Sequence, residues 1–312
     1  MRLLHDIFST SSLKDSMNSE CQIFCVYDDQ AQVDSMCDYE FGPDDDKYII
    51  MVNANDLDIA GWDNMNNCFS EFWAMYALWN MMNEEGYHPE LIGFCHYRRH
   101  FMNIDQALID TVKEYGIVGY DRIHDGRTLF ETISNYSPAL ADDFVAALQK
   151  YDGHDGGADA FCRHHARTAG NARCPWFACG CYIMRWEYFD AAMTVLAAYI
   201  DYINNKYKLK RNVINYKAFS TNLYMQRRQL MPSFIEIGNN YMRLLGYIYE
   251  IIVGGILAYD KKHYFMLYDF MKNADTCYMW VDKNIMAFNP PVKRHYEKPL
   301  KKYIAINSNR EE

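Results

Sequence analysis

The sequence predicts an α/β protein with a mixed, mostly parallel sheet, and three observations carry that expectation. Short β-rich runs at 22–27 (QIFCVY) and 47–52 (KYIIMV) are apolar almost throughout, as strands covered on both faces are. Aromatic and sulphur side chains recur at Phe69, Phe72, Trp73, Tyr76, Trp79 and Met82, the three-and-four spacing of a buried helical stripe. That helix leads into another apolar stretch, Leu91-Ile92-Gly93-Phe94-Cys95, after which the alternation of helix and strand repeats.

Composition bounds the possibilities. Half of the 312 residues are apolar and 23% are charged, so the chain is globular and long enough for one large or two modest domains. A net charge of −10 disfavours nonspecific nucleic-acid binding by the chain as a whole. The ten cysteines fall partly in apolar runs such as IFCVY and IGFCHY and read as reduced, core-filling thiols. Cys174, Cys179 and Cys181, with His164 and His165 upstream, lack the two-residue gap of a zinc knuckle, so no metal site is expected. The opening MRLLHDIFSTSS has no long apolar core of a secretory signal, and 244–259 is too short and, with Glu250, too charged to span a bilayer.

In chain order, residues 1–20 form a polar, flexible lead-in, 21–275 a single domain whose helical C-terminal part starts at about 205, and 276–312 a basic tail. The 22–27 strand delivers Tyr27, Asp28 and Asp29 to its carboxyl end, where carboxylates meet a ribose or base in nucleotide-binding sheets; an Asp-Asp turn is the commoner explanation. The 47–52 strand delivers Asn53 and opens the Asn- and Asp-dense loop NANDLDIAGWDN. Asn66 or Asn67 can cap the helix that follows, Glu71 suits the positive end of its dipole, and Gly86 with Pro89 ends it.

The 91–95 strand runs straight into His96-Tyr97-Arg98-Arg99. Adjacent arginines beside a histidine at a strand end suit a diphosphate, because guanidinium pairs phosphate oxygens through two parallel hydrogen bonds. Surface charge at the start of a loop explains the same residues, and the residues alone divide evenly between the two readings. A helix over 105–115 and a strand over 116–120 ending in Asp121 come next. Helix over 129–150 is broken at Ser137-Pro138, with Asp142 and Asp143 opening its second half. After the DGHDGG loop and a His- and Arg-rich segment at 158–173, a strand is expected over 176–184, with helices over 187–207, 219–228 and 241–260 and a helical extension over 265–272. The 241–260 helix sets Arg243, Gly246, Tyr247 and Glu250 along one side. The tail run PVKRHYEKPLKKY reads as solvated chain, with an anionic membrane surface as the other partner it fits.

An Asn at 66 or 67, Glu71 within a Trp- and Tyr-rich helix, and His96-Tyr97-Arg98-Arg99-His100-Phe101 at a strand end resemble bacterial capsular and surface polysaccharide synthesis proteins related to glycosyltransferases. Cys181-Tyr182-Ile183-Met184 before Glu187-Tyr188-Phe189, and the Arg243, Gly246, Glu250 series, are similar to later features of that family in the same order. The chain departs from the family in Tyr27-Asp28-Asp29, where a His-Lys strand end is usual, and in the shortened loop at Trp62-Asp63-Asn64.

The resemblance implies a Rossmann-type nucleotide-sugar domain of the A-type glycosyltransferase class, and a hexosyltransferase-like activity. A sugar would pass from a nucleoside-diphosphate donor to a capsular or lipopolysaccharide glycan acceptor. Where relatives of that fold hold a divalent metal on paired aspartates, this chain offers His96, Arg98 and Arg99, so neutralisation of the diphosphate by protein cations, without a metal cofactor, is implied. Glu71 would position His96 or an arginine. Tyr27, Asp28, Asn53, Asn67, Arg243 and Glu250 would line the donor cleft, and Asp121, Asp142 or Asp143 would serve as base toward the acceptor hydroxyl. The implied location is cytoplasmic, with peripheral contact at the inner membrane face through the tail. A degenerate member that binds a nucleotide sugar or glycan without turnover is the alternative.

Overall fold

The computed structural model describes residues 2–4, 17–36, 45–96, 101, 104–119, 122–123, 129–151, 176–177, 180–230, 242–259 and 264–266. Its strands are β1 (Arg2–Leu3), β2 (Cys21–Tyr27), β3 (Ile49–Asn53), β4 (Leu91–His96), β5 (Ile117–Gly119), β6 (Arg122–Ile123), β7 (Trp176–Phe177), β8 (Tyr182–Arg185) and β9 (Tyr264–Met266). The α-helices are α1 (Gln30–Met36), α2 (Asp45–Tyr48), α3 (Asn66–Phe69), α4 (Glu71–Glu85), α5 (Gln106–Tyr115), α6 (Leu129–Tyr136), α7 (Pro138–Tyr151), α8 (Trp186–Tyr207), α9 (Val213–Leu230) and α10 (Leu244–Tyr259).

Seven strands form one sheet in the order β1-β3-β2-β4-β8-β5-β9, while β6 and β7 make a separate antiparallel pair. Within the main sheet β8 is antiparallel to both its neighbours, and every other adjacent pair is parallel. The expected α/β class, with a mixed and mostly parallel sheet and helices added toward the C-terminal side, is the class observed.

The uninterrupted apolar character of the central strands follows from burial on both faces. Phe24 and Val26 of β2, Ile50 and Val52 of β3, and Ile92 and Phe94 of β4 join the larger core with α4, α8 and α10. Their odd-numbered neighbours Ile23, Cys25, Ile49, Met51, Leu91 and Cys95 join a second core with Leu108, Ile109 and Val112 of α5. Gly93 is where this second layer needs a glycine, since a Cβ there would stand 2.8 Å from Ile23 Cγ1 and 3.0 Å from Ile183 Cγ1.

Several elements differ from the sequence expectation. The stripe helix is two helices, α3 and α4, broken at Ser70, whose φ of 57° and ψ of −144° lie outside helical space. Neither Asn66 nor Asn67 caps it: Met65 precedes α3 without a side-chain cap. Gly86 does end α4, in the left-handed conformation expected of it. The 176–184 stretch is not one strand, because β7 pairs with β6 and only β8 enters the main sheet. Residues 264–266, which overlap the start of the helical extension expected over 265–272, form β9 parallel to β5; Tyr264-Phe265-Met266 is as consistent with a covered strand as with a helix turn. Arg2–Leu3, within the lead-in, pairs with β3 at the sheet edge. The 276–312 tail lies outside the described residues.

Candidate functional site

Parallel strands β2, β3 and β4 end at one edge, since Tyr27 stands opposite Asn53 and Val26 opposite His96. Because β8 runs the other way, its start lies at that same edge, beside the end of β4. Open α/β sheets bind ligands outside such carboxyl ends. Alternation along β4 puts half-buried His96 on the face of Ile92 and Phe94, the face covered by α4.

Asp28 follows β2 and is held from several directions. Its backbone N–H donates to Gln32 Oε1 at 2.9 Å, Gln32 Nε2 donates to its carboxylate, and Asn55 Nδ2 donates to its carbonyl at 2.8 Å. Arg243 Nη2 lies 3.6 Å from Asp28 Oδ2, with both side chains about one-third exposed (34% and 32%). A carboxylate and a guanidinium, fixed but reachable, therefore share the mouth of the edge.

Arg243 reaches Asp28 because α10 packs closely on the break between α3 and α4. A Cβ on Gly246 would stand 3.0 Å from the Phe69 carbonyl oxygen and 3.2 Å from Ser70 Cβ. The glycine one turn after Arg243 is thus where two backbones meet, and Glu250 follows one turn later on the same side.

Glu71 opens α4 immediately after the break. Gly180, at φ 55°, sits against it: a Cβ there would stand 3.2 Å from Glu71 Cγ, 3.6 Å from Glu71 Oε1 and 3.0 Å from Met75 Cε. Next to Gly180 and Cys181, the Tyr182 phenol is held well above its ordinary range by burial, with Cys181 and the carboxylates of Glu71 and Glu250 adding to the shift. Glu71 and Glu250 therefore approach one region from α4 and α10, beside the start of β8.

Beneath this mouth lies an amide network that the sequence marks only as an Asn-dense loop. Asn53 Oδ1 accepts from Asn55 N–H at 3.0 Å, Asn66 Nδ2 donates to Asn55 Oδ1 at 3.2 Å, and Asn64 Oδ1 accepts from Asn66 N–H at 3.0 Å. Asn64 Nδ2 donates to the carbonyls of Ala54 at 3.0 Å and Leu57 at 3.1 Å. Buried Trp73 adds a bond from Nε1 to the Leu57 carbonyl at 3.2 Å. The loop after β3 is thereby fixed to both helices of the stripe. Asn53, Asn55, Asn64 and Asn66 do this bonding, while Asn67 is exposed.

The structure brings Tyr27, Asp28, Asn53, His96, Glu71, Arg243 and Glu250 toward one edge of the sheet. Asp143 has a different setting. It is 1% exposed on α7, pairs with Lys206 and accepts from the Tyr207 hydroxyl at 2.7 Å, so its carboxylate is committed within the helical layer. Asp142 beside it is exposed on the same helix. Arg98, Arg99 and Asp121 lie outside the described residues.

No family model and no curated protein matches the sequence. Among solved structures, the apo form of the bifunctional glycosyltransferase WbbM is similar with a TM-score of 0.35 and 13% sequence identity, over 79% of this chain and 44% of that one. The chain thus spans less than half the length of that structure.

Proposed function

We propose that the protein is a glycosyltransferase that moves a sugar from a nucleoside-diphosphate donor to a surface glycan acceptor. The observation that supports this reading most is the Asp28–Arg243 pair at the carboxyl edge of parallel strands, with His96 and Glu71 brought to the same edge. Asp28 offers acceptor oxygens to ribose or base. Arg243 is a phosphate-matched donor, and the His96-to-Arg99 run supplies further positive charge for the departing diphosphate.

On this reading Glu71 orients His96 or an arginine, and Tyr27, Asn53, Asn67 and Glu250 line the donor cleft. Asp121, which follows β5, is the base candidate toward the acceptor, since Asp143 is committed to Lys206 and Tyr207. Protein cations carry the neutralisation that paired aspartates and a metal perform in other sites of this class. The capsular or lipopolysaccharide nature of the acceptor rests on the motif resemblance.

The test is incubation of the purified protein with UDP-, GDP- and CMP-sugars, reading donor binding and donor hydrolysis with and without EDTA. Hydrolysis of one nucleotide class, retained in EDTA and lost in Arg98→Ala, is expected. Donor binding without turnover would favour the degenerate binding module, no donor binding at all would overturn the reading, and EDTA inhibition reversed by Mn²⁺ would overturn its metal-independent form.

A further inference from the structure

We infer that the turn between α8 and α9 is a docking facet for an anionic membrane surface. It carries Lys208, Lys210 and Arg211, all exposed, and three residues further Ile214, which is 71% exposed at the start of α9. Among the described residues no carboxylate pairs with Lys208 or Lys210, whereas the Arg211 guanidinium lies over the Trp62 ring, 5.1 Å from its centre, and 3.4 Å from Asp201 Oδ1. Asp63 lies alongside, its carboxylate accepting from Asn212 Nδ2 and Val213 N–H; its charge and that of Asp201 offset part of the turn's, so the attraction rests on Lys208 and Lys210.

The facet is rigid. Lys208, Lys210 and Arg211 all have left-handed backbone, with φ of 54°, 57° and 54°, conformations that residues with a Cβ seldom adopt. They are held there by buried Leu209, which plugs the turn into the core, and by the Asn204 side chain, which accepts from Arg211 N–H at 2.9 Å. Asn212 N–H and Asn215 Nδ2 both donate to the Leu209 carbonyl. Two lysines are thus presented outward on a fixed turn beside an exposed branched apolar side chain, with Arg211 next to them held over Trp62 and against Asp201.

Charge complementarity selects the occupant. The chain carries −10 overall, so a negatively charged bilayer repels most of its surface and attracts this turn, which therefore also sets orientation. An exposed isoleucine beside the cations suits the headgroup boundary, where apolar and cationic groups are both satisfied, and adds nothing toward a soluble polyanion. The facet is also tied to the candidate site. Asp63 N–H donates to the Arg211 carbonyl, and the neighbouring Asn64 belongs to the amide network that reaches Asp28 through Asn55.

The inference stands apart from the transferase reading, because vesicle binding is measured without turnover. The full chain is sedimented with vesicles of pure phosphatidylcholine and of phosphatidylcholine with 30% phosphatidylglycerol (about a third anionic lipid, ample for surface attraction). Binding to the anionic vesicles alone is expected, weakening with salt. Each lysine near such a surface is worth about fivefold in binding, so Lys208→Glu with Lys210→Glu should cost at least about 25-fold. Ile214→Ser, which removes the apolar side chain without adding charge, should weaken binding further, and thermal melts check that each variant is folded. Absence of binding to anionic vesicles, or binding unchanged by these substitutions, overturns the inference. Loss with the lysines but not with Ile214→Ser also overturns it, since that pattern marks a soluble polyanion site.

Discussion

Asp28 at the end of β2 and Arg243 just ahead of α10 lie 3.6 Å apart, joining the first core strand to the last described helix at the mouth of the sheet. With about a third of each side chain exposed, solvent screens the pair, and it contributes no more than about 1 kcal/mol to folding. The proposed transferase function makes a different demand on it. Arg243→Ala and Asp28→Ala should each leave the urea midpoint nearly unchanged while lowering nucleotide affinity by about tenfold or more, as loss of a charge-assisted contact does. Isothermal titration beside equilibrium unfolding separates the two effects.

Asp143→Asn should behave in the opposite way. The substitution breaks the pairing with Lys206 and weakens the bond from Tyr207 beneath the helical layer. A loss of about 1–3 kcal/mol in stability is expected, with donor affinity unchanged in the folded protein.

Ser70→Gly should stabilise. Ser70 occupies a backbone region open mainly to glycine, and such strain costs about 1–3 kcal/mol. Differential scanning calorimetry should show a higher Tm for Ser70→Gly than for the parent. Gly246→Ala, by contrast, sets a methyl 3.0 Å from a backbone oxygen that cannot swing aside, and should cost about 1–3 kcal/mol while displacing Arg243.

Stability should fall on the alkaline side. Burial pushes the Cys21 thiol from 9.0 up to about 12 and the Cys68 thiol to about 11, and it also raises Cys25, Tyr182, Tyr199, Tyr216 and Tyr249. Above pH 9 the unfolded chain releases protons that the folded chain keeps, so unfolding gains from each pH increment. The stabilisation is complete below the unfolded values and is lost as pH rises toward the folded ones, at about 1.4 kcal/mol per pH unit for each group that differs fully between states. Urea midpoints at pH 7, 9 and 10.5 should decline in that order.

Much of the sheet was legible because its strands are covered on both faces and so read as plain apolar runs, as at 21–27 and 91–96. Gly86, Asp105 and Ser137-Pro138 marked helix ends by their own backbone chemistry. The break at Ser70 was not legible, since the apolar stripe continues through it and the residue packed against it, Gly246, is far away in sequence. At the candidate site, Asp28, Glu71 and Arg243 were visible as residues, but not the pairing of Asp28 with Arg243. Asp143 looked like a free acid because Lys206 and Tyr207, its partners, are more than fifty positions away. The amide network was visible only as composition: an Asn-rich loop does not announce which carbonyls its side chains will fill.

The reversal of β8 carries a practical consequence. Every other strand of the main sheet leaves the core at the candidate mouth, whereas β8 enters there, with Gly180 packed on Glu71 at the point of entry. Gly180 and Cys181, just ahead of β8, are therefore brought to the candidate mouth. An added methyl at Gly180 would press on Glu71 and Met75 of α4, so Gly180→Ala should move the start of α4 at the mouth while the strand ladder of the main sheet stays as it is.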